Sequence, residues 1–271
     1  MTLAINPRLL ALTSIFFLGA LSSICYPPFL RAEAQSGSSA NQFTVPNGQL
    51  TFDSEGLECP NVSDKCKLFH SRIPHVPSEQ SGVTIGRGYD LKRKEPDKIK
   101  KDLITAGLSN QIAEAYSRAG CKLLSSGKCE PQYTGKKARE FIRSNKHNLP
   151  EITPEQQRKL FAITYSEIED DVKRISKSAK DGKGNYYGSV NFENLNPKIL
   201  DVLIDLRYRG DYTPTAREWI QKHVVNNDIV AFQNAMMNDY WTTKSEPVPL
   251  DRFNRRLLYL GVQKKKPSLG C

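Results

Sequence analysis

A capped helix that runs from Thr153 past Ile175 constrains this chain more than any other feature. In Thr153-Pro154-Glu155-Gln156 the N-cap is a Thr, the first helical position a Pro and the third a Gln. This is a capping box, in which side chains satisfy the backbone donors that a helix start leaves bare. Leu160, Thr164, Ile168, Val172 and Ile175 then recur at helical spacing. Glu155, Arg158, Glu167, Glu169, Asp170 and Lys173 fall on the other side, so one face packs and one is solvated. Asp181-Gly182-Lys183-Gly184-Asn185 breaks the pattern.

The remaining elements are shorter. Asn196-Pro197 opens a second helix with Ile199, Val202, Leu203 and Leu206 as its buried stripe. Later helices are marked by Trp219/Val224, by Val230/Ala235/Met236 and by Leu250/Phe253/Leu257/Leu260. Upstream, helical patches at Ile99 to Ala119 and Lys136 to Ser144 flank a loop between Cys121 and Cys129. Val83 to Leu91 alternates apolar residues with Gly, which predicts a short hairpin. With 38% hydrophobic residues the chain can bury one sizeable core or two small lobes. The expected class is α+β, with a small, partly β lobe over about 45–95 and a mostly helical part over about 96–262.

The termini point to export. Leu9 to Leu21 is apolar, preceded by Arg8, and too short for a comfortable membrane span. Ala32-Glu33-Ala34 puts small residues where a signal peptidase reads them. A signal peptide over 1–34 is expected, with an uncleaved anchor reaching Tyr26 as the alternative. A Ser/Gly/Asn linker over 35–44 and a basic tail over 263–271 complete the layout. The expected location is secreted or periplasmic, without stable membrane insertion after cleavage. Cysteine usage agrees with an oxidising compartment: Cys59/Cys66 and Cys121/Cys129 each flank a polar loop and are expected to pair locally, leaving Cys271 over. Asn61-Val62-Ser63 is a glycosylation sequon, relevant only in a eukaryotic host. Wide cysteine spacing and four histidines without a ligand pattern give no reason to expect a metal. A net charge of +10 favours polyanionic partners. Nucleic acid is not expected, because no reading motif is present and the aromatics are not interleaved with the basic clusters.

The residues that carry chemistry lie near the start of this region. Leu50-Thr51-Phe52-Asp53-Ser54-Glu55-Gly56-Leu57 precedes Ser81-Gly82-Val83-Thr84-Ile85-Gly86-Arg87-Gly88-Tyr89-Asp90-Leu91. A Glu before a Gly, then a Thr-Ile-Gly-x-Gly run ending in a carboxylate, resembles the catalytic lobe of phage-type lysozymes, T-even phage lysozyme-like, and within them the pesticin-like branch. The resemblance continues in family order through 152–174, 202–213, 219–241 and 251–261, and so covers most of 45–262. It implies a small catalytic lobe joined to a helical lobe by the long helix. It also implies an N-acetylmuramidase that cuts the β-1,4 bond between MurNAc and GlcNAc in peptidoglycan without a cofactor. It leaves room for an immunity or inhibitor protein as a further partner.

Glycoside hydrolysis by inversion needs one carboxylic acid to protonate the leaving oxygen and one carboxylate to activate water. Glu55 is the proposed acid, with Phe52 and Leu57 as an apolar wall that disfavours its ionised form. By the resemblance, Thr84 positions the water and Asp90 polarises it. Glu58 is the fallback acid and Asp64 the fallback second carboxylate. Gly86 and Gly88 serve tight backbone geometry, and Arg87 between them is expected to line the cleft. The resemblance also pairs Arg252 with the catalytic Glu and places Tyr208 and Arg209 at the cleft border. In Phe69-His70-Ser71-Arg72-Ile73-Pro74-His75, the histidines are expected to be structural, and the resemblance to pesticin-like lysozymes implies that Arg72 supports the site. A degenerate fold that holds wall glycan without cutting it is the competing expectation. A membrane-disrupting cationic peptide is not, because no helix is basic on one face and strongly apolar on the other.

Overall fold

The computed structural model describes residues 43–56, 58 and 70–262. The expected signal peptide, most of the linker, Asp64, Leu57, the sequon, the Cys59–Cys66 pair, the basic tail and Cys271 lie outside the described residues. Within them the protein is a mixed α and β structure. Its elements are α1 (Gln49–Ser54), β1 (Thr84–Ile85), β2 (Tyr89–Asp90), α2 (Pro96–Thr105), α3 (Asn110–Ser117), β3 (Lys122–Leu123), β4 (Cys129–Glu130) and α4 (Gly135–Ser144). They continue with α5 (Pro154–Lys177), α6 (Pro197–Arg209), α7 (Pro214–Val225), α8 (Ile229–Met236), α9 (Tyr240–Thr243) and α10 (Leu250–Leu260). Each two-stranded sheet is an antiparallel hairpin, and Cys121 and Cys129 form a disulfide across the base of the second. Among the described residues no helix is long and apolar enough to cross a membrane.

The long helix starts as its sequence dictates. Gln156 N–H donates to Thr153 Oγ1 at 3.2 Å, and Thr153 N–H donates to Gln156 Oε1 at 2.9 Å. Gln156 Nε2 also donates to the carbonyl of Gly107, tying the helix start to the α2–α3 turn. The helical patch after Ile99 is two helices, because Gly107 turns the chain at φ +96° and Ser109 caps the second.

Two hydrophobic cores meet along α5. Leu160 joins one, with Val83, Ile85, Tyr89, Leu91, Ile99, Leu103, Tyr116, Phe141 and Ile152. Its neighbour Phe161 joins the other, with Phe52, Tyr165, Val172, Val202, Leu203, Trp241, Phe253 and Leu257. This division corrects the lobe boundaries read from sequence. The hairpin core recruits α2, α3 and α4, whose buried Ile99, Leu103, Ala113, Tyr116, Ala138 and Phe141 need an apolar partner, so it extends to Ile152 rather than to about residue 95. The first helix goes the other way: α1 packs on α6 and α10, and buries Leu50 and Phe52 in the second core. Glu55, at its end, therefore belongs to the large helical body and faces the hairpin across a junction.

Candidate active site

Glu55 is the C-cap residue of α1, at φ −100° and ψ 15°. A helix C-terminus carries partial negative charge, so this position disfavours an anion. Its side chain is only 17% exposed, and Oε1 lies 2.6 Å from Arg252 Nη1 in an ion pair without an aligned hydrogen bond. Burial pushes the Glu55 carboxyl up from its ordinary value, against the opposing pull of Arg252. Phe52 is turned into the core, edge-on to Phe161 at 5.1 Å.

The hairpin turn closes on this carboxyl. Gly88 has φ +84°, and a Cβ built there would stand 2.7 Å from Tyr208 Cε1 and 3.2 Å from Glu55 Oε2. Only glycine allows so close an approach. Gly88→Ala is expected to lose about 1–3 kcal/mol from the backbone conformation alone, and more from the clash. Gly127→Ala is the control, since Gly127 also has positive φ but nothing within 4 Å. Thermal melts of the two variants separate the terms: equal losses would mean that the Gly88 approach contributes nothing.

Thr84 and Asp90 face each other as antiparallel partners at the far end of the hairpin. Thr84 is buried, and its hydroxyl donates to the Gly82 carbonyl at 3.4 Å. Asp90 is partly exposed and accepts from Gly82 N at 3.2 Å and Lys92 N at 2.9 Å, with Lys92 Nζ at 3.3 Å. A carboxylate offers about four acceptor sites, so these partners orient Asp90 and leave capacity for one more donor such as water.

Arg87 does not line a cleft. It is 5% exposed and turned inward, donating to the Phe52 carbonyl at 3.0 Å and to the Gly56 carbonyl, with its guanidinium 4.4 Å over the Phe52 ring. These carbonyls bracket Glu55, so Arg87 fixes the segment that presents its carboxyl. The turn that the two flanking glycines form folds inward against α1. Glu58, the fallback acid, lies beyond the end of α1 and not one helical turn along from Glu55. It is bound by Arg72 Nε at 2.7 Å, Arg87 Nη2 at 3.3 Å and Ser71 Oγ at 3.4 Å. Arg72 also pairs with Glu151 at 2.7 Å, and the buried His70 ring has a nitrogen 2.9 Å from the same carboxylate. His75 pairs backbone to backbone with Thr84, and burial pushes its imidazole down.

Tyr208 donates to the Arg87 carbonyl at 2.6 Å and stacks on Phe161 at 6.0 Å, wedged behind the turn. Burial, then the nearby Glu55, push its phenol well up. Arg209 pairs with Asp211 at 2.6 Å and donates to the Pro247 carbonyl.

Behind Glu55 lies a buried ionic chain that sequence reasoning missed. Arg252 Nη2 contacts Asp205 Oδ1 at 2.7 Å, and Arg256 Nε contacts Asp205 Oδ2 at 2.6 Å. Arg256 Nη2 reaches Asp211 Oδ2 at 3.0 Å, and Asp211 also holds Lys244. The available signal was Asp205 itself, a carboxylate inside the apolar run Val202-Leu203-Ile204-Asp205-Leu206, with arginines four apart on α10. Among the described residues no group of three His, Cys, Asp or Glu side chains is placed to hold a metal. A small cavity beside α5, lined by Val45, Pro46, Phe161 and Tyr165 among others, includes none of the candidate acids.

Fold and site together define a mixed α and β protein in which a buried Glu–Arg–Asp chain meets the turn of a glycine-rich hairpin. The chain belongs to the family described as Domain of unknown function (DUF8812), whose model matches residues 48–257. A search of curated proteins finds no match.

Proposed function

We propose that this chain is an exported muramidase that cleaves the β-1,4 bond between MurNAc and GlcNAc of peptidoglycan. The observation that carries the reading is the junction at Glu55: a mostly buried carboxyl, pushed up by burial, touches the turn of a hairpin whose strands pair Thr84 with Asp90. An acid of raised pKa and a separate, oriented, partly exposed carboxylate are the two groups an inverting glycosidase uses. Glu55 protonates the leaving oxygen, and Asp90 takes the proton of a water that Thr84 helps to position. The resemblance to phage-type lysozymes supplies the substrate, and the net charge of +10 suits an anionic wall. No cofactor enters this chemistry.

The test is incubation of purified sacculi with the protein, followed by analysis of the released ends. Clearing with new reducing MurNAc ends is expected. Binding without clearing would overturn the enzyme reading in favour of a wall-binding protein, and anhydro ends would assign a transglycosylase instead.

A further inference from the structure

The guanidinium of Arg252 is shared between two carboxylates that differ in kind. Toward Asp205 it presents Nη2 at 2.7 Å and Nε at 3.3 Å, whereas only Nη1 reaches Glu55. The Asp205 side chain is fully buried, and a second guanidinium, Arg256, grips it from the next turn of α10. Such fork-to-carboxylate contacts fix an arginine in direction as well as place. We propose that Asp205 is the positioning residue for the catalytic acid: it holds Arg252 against a single oxygen of Glu55 and takes up part of its charge, so that Glu55 keeps a proton to deliver.

The charged and titratable groups around Glu55 act with both signs. Arg252 and Arg256 on α10, with Arg87 in the hairpin turn, favour its anion; Asp205 on α6 opposes it, and the Tyr208 phenol, pushed well up, stays neutral. Asp205 stays ionised in this setting. Burial works against its charge, but Arg256 and then Arg252 hold its carboxyl below the usual range. A permanent anion behind Arg252 thus offsets part of the positive charge that Glu55 faces from that guanidinium.

The inference rests on Glu55 being the acid, and its test separates the two. Glu55 is titrated by carboxyl carbon NMR in the wild type, in Asp205→Asn, and in the charge-balanced double variant Asp205→Asn/Arg256→Gln. The double variant removes both members of a buried pair and so guards against loss of folding in the single one. Glu55 is expected to titrate at lower pH in Asp205→Asn and, by less because Arg256 itself favours the anion, in the double variant, and Asp205→Glu to restore it. On sacculi, the alkaline limb of the pH profile moves down with it, and activity at neutral pH falls roughly tenfold. Asp171→Asn on α5, which unpairs Arg207 of α6, leaves the Glu55 titration in place. An unchanged or upward titration in the Asp205 variants would overturn the proposal. The NMR readout stands without substrate, so an inactive wild type would sink the muramidase reading and leave the Asp205 result to be judged separately.

Discussion

Replacing Glu55 by Gln is expected to lower sacculus clearing by about 10²–10⁴-fold while leaving wall binding intact, the usual range for loss of a general acid. Gln fills the same volume and keeps a carbonyl toward Arg252, but it has no proton to give. The same variant also carries a stability signature. A carboxyl pushed up in the folded state binds its proton more tightly there than in the unfolded chain. Stability therefore falls as pH rises from the ordinary Glu value through the raised one. Glu55→Gln lacks that group, so its stability relative to the wild type should rise over the same interval. Loss of clearing together with relative stabilisation above the carboxylate range would mark a site that sacrifices stability to keep an acid protonated. Clearing at the wild-type rate would remove Glu55 from the mechanism.

What the sequence made legible was local. The Thr153–Gln156 box is visible because its donors and acceptors lie three residues apart, and the hairpin because Gly86 and Gly88 have few other uses next to β-formers. The direction of α1 was not legible. Leu50 and Phe52 form too short a stripe to indicate which core they join, so residue 55 was placed in the hairpin lobe rather than across from it. The ionic chain was hidden for a different reason. Asp205 meets Arg252 and Arg256 from 47 and 51 residues away, and nothing in the spacing of a single helix reports a contact with another. Arg87 and Glu58 show how such distant contacts reassign a role. Each has a side chain suited to a cleft, and each is used to hold the segment around Glu55.

Arg256 is where the same logic has its largest expected effect on stability. It is fully buried between Asp205 and Asp211, at 2.6 Å and 3.0 Å. A buried ion pair is not in itself strong support for a fold, since desolvation offsets much of the attraction. Removing one partner is different, because it strands the other charge in a low-dielectric interior. Arg256→Ala is therefore expected to destabilise by about 3–5 kcal/mol, a large share of the ~5–15 kcal/mol that holds a domain together. The change should move the midpoint of urea unfolding with little effect on the slope. The pH dependence supplies a check on the cause. Burial works against the charge of both aspartates, but their cationic partners, Arg256 foremost, hold them below the ordinary Asp range. In the wild type, the stability they contribute is present above that range and is lost as pH falls through their folded values. Without Arg256 those values rise toward the ordinary one, so the loss still begins at the ordinary Asp value but is complete at higher pH, and its total is smaller. A uniform loss at every pH would instead assign the effect to the cavity left by the side chain.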